Sequence, residues 1–215
     1  MSHEDNVTGF VKRCIACFLG NNSVILCRAC IAFALTLFSA VSIAHADGDP
    51  AQSAAKFASG DGTVIYVAAG IAAPLLQDGA NGSQHALRTA DALLTSSVIT
   101  EGLKHIVREP RPLNPNDRTS FPSGHATAVF SIAAMESHFH PSQAPLWYLG
   151  ATLIAISRVK LHAHRVRDVV AGAAVGIATA HFEQDSAHGL LLFPFIKNRD
   201  SQGPRTQGLA LGGSF

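Results

Sequence analysis

The sequence predicts an all-α protein: a single helical bundle of about five or six helices with its active site at one end, preceded by a signal peptide or N-terminal anchor. Three observations lead there. Of 215 residues, 47% are apolar but only 7% are aromatic, so the apolar content is mostly Ala, Leu, Ile and Val, which suits packed helices better than a β sandwich. Apolar residues recur at three- and four-residue steps in the longest periodic stretch. Short clusters of Pro, Gly and Asn then divide the chain into segments of helical length. At this length one core and one domain are expected.

Residues 1–46 have the parts of a secretory leader: Lys12, Arg13 and Arg28 before an apolar core of 14 residues at 31–44, then Ala44-His45-Ala46 before Asp47. Cleavage after Ala46 is expected, with a retained anchor over 24–44 as the rival, weakened by Arg28 within it. All four cysteines, Cys14, Cys17, Cys27 and Cys30, lie in this segment as two C-x-x-C pairs. Such spacing hints at zinc. The intervening loop is short and the second pair runs directly into the apolar core, so they read as small apolar residues of the leader. An exported chain would then keep no cysteine and need no disulfide.

Residues 47–62, polar and Gly/Ala-rich, read as a flexible lead-in. The helical domain is expected over 63–188. Its first helix fits 63–77, with Pro74 bending the last turn. Residues 77–84 are turn chemistry with Ser83 as a plausible N-cap, and a long helix follows over 85–107 with Leu87, Ala90, Leu94, Val98 and Ile99 as its periodic apolar positions. Residues 108–119 carry three prolines and form a loop. Three more helices fit 124–138, 144–159 and 166–182. In the last of these, Gly172 and Gly176 allow close packing on a neighbour. Residues 189–215 form a tail, extended or disordered. The uninterrupted apolar runs, 13 residues at 64–76 and 13 at 145–157, fall short of the roughly 20 that a membrane span needs. Arg88, Asp91 and Glu101 would be costly in lipid unless turned inward. A soluble or surface-associated bundle is favoured over a polytopic one.

The net charge of +1 and the lack of a long basic stripe with interleaved aromatics exclude nucleic acid as a partner. Charge is nevertheless uneven. The 65 residues from 104 to 168 hold eight of the 16 Lys and Arg but four of the 15 Asp and Glu, a local balance of +4. Within them lie three clusters. Lys104 falls in the last turns of a helix stopped by Pro110, with Arg111 in the loop beyond. Pro122-Ser123-Gly124-His125 reads as a helix entry in which Ser123 caps, Gly124 admits a ligand close to the backbone, and the positive helix end attracts an anion. His125 is one turn in, placed to give a proton. Arg158 ends an apolar helix, and His164 and Asp168 are spaced i, i+4. If one helix covers both, the carboxylate can accept the second imidazole N–H and leave the other nitrogen free to attack. Singly, each cluster has a bland reading as surface cations, a capped helix or an exposed ion pair. His162-x-His164 could suggest a metal pair, but Arg158, Lys160, Arg165 and Arg167 around it would repel a cation.

Together, Lys104-x6-Arg111-Pro112, Pro122-Ser123-Gly124-His125 and Ser157-Arg158-x5-His164-x3-Asp168 resemble, in every position and in order, the signature of the type-2 phosphatidic acid phosphatase superfamily. That superfamily includes bacterial nonspecific acid phosphatases, lipid phosphatases and vanadium haloperoxidases. The resemblance covers about residues 83–182. It implies that His164 attacks phosphorus to form a phosphohistidine, that Asp168 orients it, and that His125 protonates the leaving oxygen and later activates water. It implies that Lys104, Arg111 and Arg158, with Ser123 and the Gly124 amide, bind the phosphoryl oxygens, with no metal and no cofactor.

The expected activity is therefore that of a metal-independent phosphoric monoester hydrolase acting on a phosphorylated lipid or small molecule, a diphosphate included. It would be exported and periplasmic, or membrane-associated and facing the periplasm. Two other readings share the motifs: a vanadate-dependent haloperoxidase, for which no halide-site cluster is visible, and a catalytically silent membrane scaffold, against which the intact motifs speak. The oligomeric state is left open.

Overall fold

The computed structural model describes residues 49–186, 189–197 and 206–211. The leader, its four cysteines and the cleavage point after Ala46 lie outside the described residues. Six α-helices account for most of what is described: α1 (Pro50–Ser59), α2 (Asp61–Gln77), α3 (Gly82–Val107), α4 (Gly124–Phe139), α5 (Ala144–Lys160) and α6 (Val166–Asp185). Two short strands, β1 (Leu192–Lys197) and β2 (Thr206–Leu211), pair antiparallel with Leu192 opposite Leu211. The architecture is all-α with this one hairpin appended.

Helix α4 is central and packs against α2, α3, α5 and α6. It can hold that place because Val129, Ile132, Ala133 and Met135 are fully buried, an all-round apolar helix rather than an amphipathic one. On one side it joins Tyr66 of α2 and Trp147, Ala151 and Ile154 of α5. Tyr66 meets Trp147 edge to face at 5.4 Å and donates its hydroxyl to the Trp147 carbonyl at 2.7 Å, so the buried phenol is satisfied. On the other side α6 lies so close that a Cβ on Gly172 would stand 2.4 Å from the Ser123 carbonyl oxygen, and one on Gly176 would stand 2.3 Å from that of Thr127. The small-residue pattern is thus what brings the start of α6 against the start of α4.

Several expectations need correcting. Residues 50–59 are helix and not a loose lead-in; the Ala-rich stretch opens on Pro50, and proline is well suited to a first helical turn. Ser83 lies inside α3, whose cap position falls at Asn81. The periodic stripe of α3 faces outward: Leu94, Val98 and Ile99 are exposed, whereas Ala86, Thr89, Asp91, Ala92, Ser96 and Thr100 are buried. Small and polar residues face in because the neighbouring backbones approach closely and hydroxyls such as Thr100, 3.0 Å from Thr127 Oγ1, find partners there. Among the described residues no single helix is long and apolar enough to cross a membrane; α1 and α2, bent by 42° at their junction, reach that length and composition only as a pair.

Of Arg88, Asp91 and Glu101 within α3, Arg88 and Asp91 turn inward, whereas Glu101 is exposed. Asp91 accepts the Leu190 amide at 2.7 Å and the Leu191 amide at 3.0 Å, while Arg88 binds Glu183 at 3.0 Å and the Ser186 carbonyl at 2.8 Å. This clamp fixes the chain where it leaves α6 for the hairpin. At the end of the bundle remote from the cationic clusters, Asp78 accepts from His85 at 2.6 Å and His140 at 2.7 Å. Beside them Glu136 is fully buried, and burial, aided by the Asp78 charge, pushes its carboxyl up to about 8. A carboxyl raised on folding contributes stability that is present below its unfolded pKa and lost as pH rises through the folded one. Glu136→Gln should therefore melt about 5 °C above the wild type at pH 8.5, with the gap closing at pH 5. Melting curves offset equally at both pH values would contradict this.

Candidate active site

The three sequence clusters meet at the other end of the bundle. Lys104 sits in the last turn of α3, with its ammonium 3.3 Å from where a Gly124 Cβ would stand and paired to Glu101 at 2.6 Å. The chain leaves α3 through Arg108 in the left-handed conformation, φ 50°. It then folds into a loop held by Arg111 N–H to the Asp117 carbonyl (2.9 Å) and Ser120 N–H to the Glu109 carbonyl (3.0 Å). Asp117 and Thr119 brace the Arg111 guanidinium, at 2.8 Å and 3.1 Å, and so aim it. That bracing uses its Nε and Nη2 and leaves Nη1 3.5 Å from His164 Nε2.

His164 is nearly fully buried and lies just before α6, which begins at Val166. It is therefore not on one helix with Asp168, and the expected carboxylate–imidazole hydrogen bond is not the one formed. Nδ1 lies 2.8 Å from the Ser120 carbonyl oxygen and 3.9 Å from Asp168 Oδ2. Since a carbonyl can only accept, Nδ1 carries the proton and Nε2 presents its lone pair toward Arg111. Asp168 acts one step further back. Its Oδ2 accepts the Ser120 hydroxyl at 2.6 Å and the Arg165 amide at 2.9 Å, so the carboxylate fixes the residue whose carbonyl fixes the ring. Ser120 was missed in the sequence because the group that matters is its main-chain oxygen, which every residue has.

Two tethers hold the loops of this site together. Glu109 binds Arg165 at 2.7 Å and also Arg167, joining the loop after α3 to the one before α6. Ser123 N–H donates to the Asp168 carbonyl at 2.9 Å, joining the start of α4 to the start of α6. Ser123 occupies the N-cap position of α4 without capping it through its side chain. Its hydroxyl is buried with no partner among the described residues, which leaves it available to another acceptor or donor. The first amides of α4, beginning at Gly124, have no partner within the helix. Arg158, near the end of α5, is half-buried and hydrogen-bonds the Ser59 hydroxyl.

Both site histidines are held neutral at pH 7. Burial is the main cause for each and drives each pKa down to about 4; Arg158 then opposes a positive charge on His125, and Arg111 and Arg158 oppose one on His164. Burial, followed by the nearby Arg111, also lowers Arg158. Three cations and two neutral imidazoles thus share one pocket, and an anion with several oxygens would relieve their mutual repulsion. His162 is exposed with φ 51° and does not join the cluster. Among the described residues no three His, Cys, Asp or Glu side chains are grouped to hold a metal ion.

Fold and site together define a helical bundle with a cluster of cations and two neutral histidines at one end. Residues 86–183 match the model of the PAP2 superfamily, and this segment is a PAP2-superfamily domain. The bacitracin transport permease protein BcrC of Bacillus licheniformis is 40% identical over 63 residues, 29% of this chain and 31% of that protein; the match thus spans about a third of that relative's length. Two solved structures are similar. Aquifex aeolicus LpxE is 23% identical with a TM-score of 0.49, over 71% of this chain and 94% of that one. A transmembrane PAP2 type phosphatidylglycerolphosphate phosphatase from Bacillus subtilis is 19% identical with a TM-score of 0.44, over 83% and 94%.

Proposed function

We propose that this chain is a metal-independent phosphatase that cleaves phosphomonoesters through a phosphohistidine on His164. The observation that carries the reading is the His164 ring itself: Nδ1 is engaged by Ser120, and Nε2 carries its lone pair into the cationic cluster, held only by a long 3.5 Å contact with Arg111 Nη1. In this reading Lys104, Arg111, Arg158, the Ser123 hydroxyl and the Gly124 amide receive the phosphoryl oxygens and stabilise the charge that builds on them. His164 Nε2 attacks phosphorus as the P–O bond to the leaving group breaks, and His125 supplies the proton that the leaving oxygen takes. Neutral His125 then accepts a proton from water, whose oxygen displaces phosphate from His164 and restores the starting state.

The substrate class in this reading is a phosphate carried on a lipid, processed at a membrane surface facing the periplasm. Ile106, Leu113 and Val166 are exposed, each two residues from Lys104, Arg111 or His164, so apolar side chains stand among the charged ones that flank the site. Along α5, Leu146, Leu149, Leu153 and Ile156 are exposed as well, and an apolar surface of this extent marks contact with a membrane or partner. A panel of p-nitrophenyl phosphate, phosphatidate and a polyprenyl diphosphate, with and without detergent, tests it. Lipid phosphates turned over at higher kcat/KM than the soluble ester, with chelator having no effect, is the expected result. Preference for soluble esters regardless of detergent would overturn the lipid assignment, and turnover of none of them would overturn the activity.

The pH profile follows from the two depressed histidines. His164 must be neutral, so activity falls as pH drops through its pKa; His125 must be protonated in the free enzyme, so kcat/KM falls as pH rises through its own. With both near 4, kcat/KM should peak on the acid side of pH 6. A bound phosphate anion raises the pKa of His125, so the alkaline limb of kcat should lie at higher pH than that of kcat/KM. An optimum at or above pH 8 in both parameters would contradict the two roles.

A further inference from the structure

One side chain at the pocket comes from outside the matched segment of 86–183 and from none of the three motifs. Ser59 is the last residue of α1, buried at 8% exposure, where the chain bends by 42° into α2. Its hydroxyl hydrogen-bonds Arg158 Nη1. The guanidinium has few other holds: its Nε is buried and has no hydrogen-bond partner among the described residues. A guanidinium that is to grip phosphate in a forked geometry needs its plane fixed beforehand, since an unrestrained arginine loses side-chain entropy on binding. The main chain of Ser59 also favours the protonated form of the His125 ring. As the C-terminal end of a helix, this segment brings partial negative charge to a pocket of cations.

We infer that Ser59 is a positioning residue of the active site, its hydroxyl holding the Arg158 guanidinium in the orientation that receives the phosphoryl group. Helix α1 is then a working part of the site. The inference rests on the phosphatase reading for its meaning in turnover, but the Ser59–Arg158 link can be read by binding alone. Arg158 meets the phosphoryl group before and during the chemical step alike, so loosening it weakens binding more than it slows conversion.

The test uses Ser59→Ala, Arg158→Ala and the double variant in the full chain. Orthophosphate affinity is measured by calorimetry, and KM and kcat are measured on p-nitrophenyl phosphate. Ser59→Ala should weaken orthophosphate binding about tenfold, as loss of a hydrogen bond to a charged group does, raise KM in step and leave kcat within about threefold. In the Arg158→Ala background the same substitution should change orthophosphate affinity by less than about twofold, and Ser59→Thr, which keeps the hydroxyl, should restore binding in the otherwise wild-type chain. Unchanged affinity in Ser59→Ala, an equal loss in both backgrounds, or no recovery in Ser59→Thr each overturns the inference. A wild type that binds orthophosphate but hydrolyses no ester would sink the phosphatase reading while leaving the binding comparison to judge Ser59.

Discussion

Replacing His164 with alanine should lower kcat by at least about 10⁴-fold while leaving orthophosphate affinity within about threefold. The split follows from the division of labour in the pocket. In the proposed mechanism binding is carried by Lys104, Arg111 and Arg158, whereas His164 contributes a lone pair used only when the phosphorus–nitrogen bond forms. Asp168→Asn should give a folded but slower enzyme, down about 10²- to 10³-fold, because the carboxylate reaches the ring through Ser120 and not directly. Single-turnover kinetics quenched in alkaline denaturant, where a phosphorus–nitrogen bond to histidine survives, would trap phosphoprotein in Asp168→Asn and none in His164→Ala. His164→Ala retaining a tenth of wild-type kcat would remove it as the nucleophile.

The second large effect is expected at a residue that has no side chain of its own. Gly172→Val places a branched side chain where even a Cβ would lie 2.4 Å from the Ser123 carbonyl oxygen and 3.2 Å from Thr127 Oγ1. The obstructing atom is backbone at the start of α4, so it cannot swing aside, and the two helices must separate. We expect a loss of about 3 kcal/mol in urea unfolding. At permissive temperature we expect a fall of at least about 10²-fold in kcat/KM, since the shift pulls Asp168 from Ser120 and His164 from Arg111 together. Near wild-type stability and activity in Gly172→Val would mean that the helix contact does not set the site.

What could be read in the sequence, and what could not, divides along a physical line. Lys104, Arg111, Arg158, His125 and His164 are legible because their chemistry resides in the side chain and their spacing survives in the chain. Gly172 and Gly176 are legible for the same reason: a missing Cβ is visible in the sequence. Ser120 is not, since its contribution is a carbonyl oxygen that any residue would bring. A direct bond from Asp168 to the His164 ring was conditional on one helix covering both, and since α6 starts two residues after His164 that condition is not met. Periodicity in α3 correctly groups Leu94 with Val98, yet it says only that they share a side, not which side faces in. Ser59 was out of reach because 47–62 read as linker, and a linker is not expected to supply a buried hydroxyl.

Helix α3 turns threonine, serine, aspartate and alanine toward its neighbours and leaves Leu94, Val98 and Ile99 outside. A helix arranged in that way uncovers comparatively little hydrocarbon when it leaves the bundle, because its large apolar side chains are already uncovered. This helix therefore adds little to the heat-capacity increment of unfolding, which comes chiefly from the buried apolar side chains gathered around α4.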